Sequence, residues 1–79
     1  MNPNQVAELI RAALPNALVE VQSDDNTHYS ARVISADFGT LRSIARHQLI
    51  YRALGDRVGR EIHALSIEAL TPAEAGSGK

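Results

Sequence analysis

Cysteine is absent from this 79-residue chain, and so is tryptophan. The missing thiol excludes disulfide stapling, cysteine nucleophiles and any thiolate metal site that the chain could complete alone, and it points to a reducing compartment. Aromatic residues make up 4% of the chain, which leaves few π faces for stacking on bases. No apolar run approaches the ~20 residues of a membrane span. The opening Met1-Asn2-Pro3-Asn4 has neither the positive nor the apolar stretch of a secretory signal. These absences lead us to expect a cytoplasmic protein without a membrane segment. Nucleotide-binding glycine loops, His-Glu-x-x-His and Gly-x-Ser-x-Gly are also missing. The paired carboxylates Asp24 and Asp25 fall in turn chemistry, where little desolvation is available to tune them for acid/base work. No enzymatic activity is expected.

What is present fits one small domain, expected over residues 1–75 and followed by a flexible tail at 76–79. A chain this short buries only roughly 60% of its unfolded surface, so the core is thin. The net charge is −1, but it is unevenly spread. Arg42, Arg46, Arg52, Arg57 and Arg60 face only Asp56 between residues 41 and 60, and the rest of the chain is acidic. Such a stripe is either a solvated face or a contact for an anionic partner.

Val6, Leu9, Ile10, Ala13 and Leu14 form one stripe of helical period. Asn2 suits the N-cap, Pro3 the first helical position and Gln5 a capping box, and Pro15 closes the helix. Residues 17–22 alternate with period two, Ser23 to His28 is a turn, and residues 29–35 are rich in β formers, so the pair reads as a hairpin. Thr40 is a candidate cap for a second helix, on which Ile44, His47, Ile50, Tyr51 and Leu54 share one side while Arg42, Arg46 and Arg57 gather on its flank. Gly55 weakens that helix, and Gly59 suits its C-terminal cap. A third strand is expected from Ile62 to Leu70, then one helical turn capped by Thr71 with Pro72 just inside. The order α-β-β-α-β(-α) gives an α+β fold: a three-stranded mixed sheet with its helices packed on one face. The crossover through the second helix makes strands two and three parallel if adjacent.

The three histidines differ in setting. His47 lies among apolar residues of the second helix and reads as a core side chain with a hydrogen-bonded ring nitrogen. His28 ends the hairpin loop, and His63 opens the third strand. One or two histidines hold a metal weakly, so a ligand role requires a second molecule.

Phe38, then Arg46-His47-Gln48-Leu49-Ile50-Tyr51, then Ile62-His63-Ala64-Leu65-Ser66-Ile67, then Thr71-Pro72-Ala73-Glu74, resembles the BolA family, more narrowly its short bacterial members. His28-Tyr29 matches the family's His-Phe/Tyr step, so the resemblance runs from about Val19 to Glu74. Two departures stand out. Gly39 follows Phe38 directly where the family has Phe-x-Gly, which bears on the shape of that turn. Ala75 replaces the family's tryptophan, which implies weaker packing of the last helix.

The resemblance implies a fold similar to class II KH domains and a monothiol glutaredoxin as partner, with a [2Fe-2S] cluster shared between the partner's cysteine, glutathione and this chain. No cluster is expected on the isolated chain. The family's shared histidine ligand maps onto His63. The second ligand, from the loop between the first two strands, maps onto His28 or Asp25, of which the carboxylate is the harder and poorer donor. Neutral imidazoles raise cluster potential and leave on protonation, which suits transfer or iron sensing. Phe38, His47 and Tyr51 are expected to be structural residues. The alternative is a nucleic-acid-binding transcriptional regulator with DNA as partner, using Arg42, Arg46 and Arg57. Against it, no two of Gly39, Gly55, Gly59, Gly76 and Gly78 have the Gly-x-x-Gly spacing of a KH clamp.

Overall fold

In the computed structural model, residues 1–77 are described. Helix α1 (Pro3–Ala13) begins with the expected capping box. The Asn2 side chain accepts the Gln5 N–H at 2.9 Å, and Gln5 Oε1 accepts the Asn2 N–H at 2.8 Å. Strands β1 (Leu18–Gln22) and β2 (His28–Ile34) pair antiparallel, joined by a loop in which Asn26 takes the left-handed conformation. Helix α2 spans Ser43–Leu54, strand β3 spans Ala64–Leu70 and pairs parallel with β2, and α3 spans Pro72–Ser77. The sheet order β1-β2-β3 is the mixed α+β arrangement expected.

Alternate residues of the strands face the helices. Val19, Tyr29, Ala31, Val33 and Ala69 are buried with Val6 and Ile10 of α1 and Ile50 and Leu54 of α2. The opposite face is open and ordered in rows. Leu18, Ile34 and Leu70 align at one end, then Glu20, Arg32 and Glu68, then Gln22, Ser30 and Ser66, and finally His28 beside Ala64. The charged row is tied by an Arg32–Glu68 ion pair of 3.0 Å.

Several expectations are corrected. Helix α2 starts after Arg42 rather than Thr40, and no side chain caps it. It ends at Gly55, not Gly59: Gly55 takes φ 62°, ψ −141°, a conformation that penalises a Cβ and stops the helix at Leu54. The helix is also rotated from the expected phase. Its inner face is Arg46, Ile50 and Leu54, while Ile44 is 69% and Tyr51 41% exposed and His47 is half-buried. Tyr51 is therefore no core anchor. Ile62 is buried and bridges Val58, so His63 lies in the turn before β3 instead of within the strand. Gly76 and Ser77 belong to α3, and the tail expected at Gly78 and Lys79 lies outside the described residues.

The rotation of α2 has a polar cause. Arg46 is only 7% exposed. Its guanidinium donates to the carbonyls of Leu41 at 2.8 Å and Ala69 at 3.1 Å, and to Glu74 Oε1 at 2.5 Å. It stands 5.7 Å from the centroid of the fully buried Phe38 ring. The Arg46 hydrogen bond raises the acidity of Glu74, whose pKa falls to about 2, and Arg46 itself is held more firmly charged. Glu74 and Thr71 also form a reciprocal cap. Thus α3 is fastened by a buried arginine.

Candidate functional site

The β1–β2 loop is organised by Asp25. Its Oδ1 accepts the backbone N–H groups of Thr27 at 3.0 Å and His28 at 2.9 Å and the Ser23 hydroxyl at 3.3 Å. The backbone bond from His28, the His28 side chain and the Thr27 N–H together hold the Asp25 carboxyl well below the usual carboxylate range. Asp25 Oδ2 lies 2.7 Å from His28 Nδ1, which is also 3.0 Å from the Thr27 hydroxyl. Beneath the loop, the buried Tyr29 hydroxyl donates to the Asn26 carbonyl at 2.7 Å and also meets the Met1 carbonyl. Burial pushes the Tyr29 phenol up.

His63 arrives at the same end of the sheet. Its backbone N–H donates to the Thr27 carbonyl at 2.8 Å, and the next N–H, of Ala64, reaches the same oxygen at 3.2 Å. With His28 opposite Ala64 in the parallel register, His28 opens β2 and His63 immediately precedes the neighbouring β3. Both are exposed. Among the described residues, neither the His63 ring nor His28 Nε2 takes a hydrogen bond. An open depression lined by Gln22, Asp24, His28, Ser30, Ala64 and Ser66 adjoins His28.

Asp25 and His28 are thus in contact, and His63 reaches the same end of the sheet through its backbone. The arginines do not. Arg46 is internal and cannot join an exposed stripe, because its donors are spent on Glu74 and on backbone carbonyls. Arg42 is exposed at the start of α2, and Arg57, in the 3-10 turn Gly55–Arg57, contacts the Leu54 carbonyl at 3.5 Å. Phe38 is fully buried. Sequence reasoning missed the Asp25–His28 pairing, though an Asp three residues before a His in a turn is a readable signal.

Among the described residues, no group of three or more His, Cys, Asp or Glu side chains could enclose a metal ion. Two accessible imidazoles fit the donor set of half a [2Fe-2S] centre, the type in which two histidines serve one iron and thiolates the other. They do not fit a site that this chain completes alone.

An α+β domain with three mixed strands, helices on one face and two exposed histidines at one sheet end defines the class. The chain belongs to the BolA-like protein family, whose model matches residues 7–74. A bolA protein homologue from Coxiella burnetii has a similar structure, with TM-score 0.84 and 30% identity, covering 96% of this chain and 97% of that one. The BolA domain of SufE1 from Arabidopsis thaliana gives TM-score 0.80 and 34% identity, covering 91% and 93%. In sequence, the DNA-binding transcriptional regulator BolA of Haemophilus influenzae is 40% identical over 48 residues, 61% of this chain and 47% of that protein. The chain thus spans less than half the length of that curated relative. No helix among the described residues is long and apolar enough to cross a membrane.

Proposed function

We propose that this chain is a non-enzymatic adaptor in iron-sulfur trafficking or iron sensing that shares a [2Fe-2S] cluster with a monothiol glutaredoxin and glutathione. His63 and His28 would be its ligands. The observation that supports this most is the backbone bond from His63 to Thr27, which brings the backbones of two exposed histidines to the same end of neighbouring strands. The absence of cysteine requires thiolates from elsewhere, which the partner and glutathione supply. Bound there, the cluster is a cargo that imidazoles release more readily than thiolates, since protonation competes for their lone pairs. The test is reconstitution with a monothiol glutaredoxin, glutathione, iron and sulfide, followed by size-exclusion chromatography with visible absorption. A coloured heterocomplex is expected. Colour that runs only with the glutaredoxin contradicts the proposal.

A second reading, DNA binding, is favoured by the similarity to the DNA-binding transcriptional regulator BolA of Haemophilus influenzae. With Arg46 internal, exposed Arg42 and half-buried Arg57 remain of the three arginines first considered. Binding to a short duplex should weaken with salt and with both residues neutralised, and indifference to both rejects an electrostatic contact.

A further inference from the structure

Asp25 shares the loop with His28, and the geometry points to a job for it other than ligand. We infer that Asp25 is a positioning residue: it holds His28 with the proton on Nδ1, leaving Nε2 as the atom that meets an incoming metal. This inference rests on the reading of His28 as a ligand. The two Asp25 oxygens are divided in use. Oδ1 is committed to the Thr27 and His28 N–H groups and the Ser23 hydroxyl, and Oδ2 faces His28 Nδ1 at 2.7 Å. An ionised carboxylate only accepts hydrogen bonds, so the ring nitrogen opposite it must donate. A carboxylate oxygen occupied by three donors is a poor metal ligand. The same carboxylate on the far nitrogen of an imidazole fixes its tautomer and raises its basicity.

The loop makes the arrangement from local sequence alone. Asp25, Thr27 and His28 lie within one turn, and the left-handed Asn26 between them curls the backbone N–H groups onto Oδ1. The His28 ring is therefore oriented before any partner arrives.

Asp25→Asn separates this role from a merely structural one. An asparagine keeps its carbonyl oxygen on the Thr27 and His28 N–H groups, so the turn survives. Its amide nitrogen then faces His28 Nδ1 as a donor, which forces the ring proton to Nε2. The readout is the long-range proton–nitrogen NMR spectrum of the histidine rings in the isolated protein, at a pH where imidazole is neutral. His28 should be protonated on Nδ1 in the wild type and on Nε2 in Asp25→Asn, with the backbone amide spectrum otherwise preserved. In the reconstituted glutaredoxin–glutathione mixture the variant should retain cluster about 10–100-fold more weakly. A wild-type His28 protonated on Nε2, or a tautomer indifferent to Asp25→Asn, overturns the inference. A tautomer that switches with no change in cluster retention overturns Nε2 as the coordinating atom. Failure of the wild type to form any shared cluster instead rejects the proposed function, and the NMR result stays distinct from it.

Discussion

Arg46 and Glu74, 28 residues apart in sequence, meet in a two-pronged ion pair, Nη1–Oε1 at 2.5 Å and Nη2–Oε2 at 3.2 Å. The fork joins the first turn of α2 to the closing helix and passes the Ala69 carbonyl of β3 on the way. A fork of this geometry, with the arginine buried, is a fastening of the fold and not a surface charge.

Acid should undo that fastening. The folded-state pKa of Glu74, about 2, is below its ordinary 4.5. Its stabilisation is therefore complete above the ordinary value and is lost as pH falls towards about 2. Melting curves of the wild type and Glu74→Gln should differ at neutral pH and converge across that window. A difference independent of pH contradicts the ion pair.

The rotated phase of α2 is tested by neighbours on opposite sides. Ile50→Ala removes a fully buried side chain and should cost about 2–5 kcal/mol, whereas Ile44→Ser, at an exposed position, should stay within about 0.5 kcal/mol. Urea midpoints at unchanged slope measure both. Equal effects restore the phase read from the sequence.

Phe38→Ala should cost about 3–5 kcal/mol, since the ring is fully buried and also faces the Arg46 guanidinium. In a domain with roughly 5–15 kcal/mol in hand, that is a large share. Equilibrium unfolding checks it, and a loss below about 1 kcal/mol contradicts the packing.

Gly55→Ala should destabilise by about 1–2 kcal/mol, because φ is +62° although nothing crowds the added Cβ. The same denaturation series reads it. A neutral substitution shows that α2 can continue past Leu54.

Much of this fold is legible in the residues. The Asn2–Gln5 capping box, the alternation in β1 and β2 and the turn chemistry of Ser23 to Asn26 are local signals, and each appears where local physics puts it. The parallel β2–β3 pairing follows from topology. Helix α2 is different. Ile44 and Tyr51 compete with Leu49 for the inner face, and the side chain that settles the phase is an arginine whose partners lie in the turn before α2, in β3 and in α3. Arginine is ordinarily a surface residue, so no periodicity rule places it inside. At the candidate site, motif matching picks out His63 and His28. Only the fold shows that Asp25 spends its oxygens on the loop and on the imidazole.

The central proposal is that His63 is a ligand supplied to a cluster completed by a partner. Visible circular dichroism of this chain with a monothiol glutaredoxin, glutathione, iron and sulfide tests it most directly, run in parallel with His63→Ala. The mixed wild-type sample should give a spectrum distinct from glutaredoxin alone, and His63→Ala, exposed and harmless to the fold, should abolish the difference. A wild-type spectrum identical to that of glutaredoxin alone, or one untouched by His63→Ala, contradicts the account.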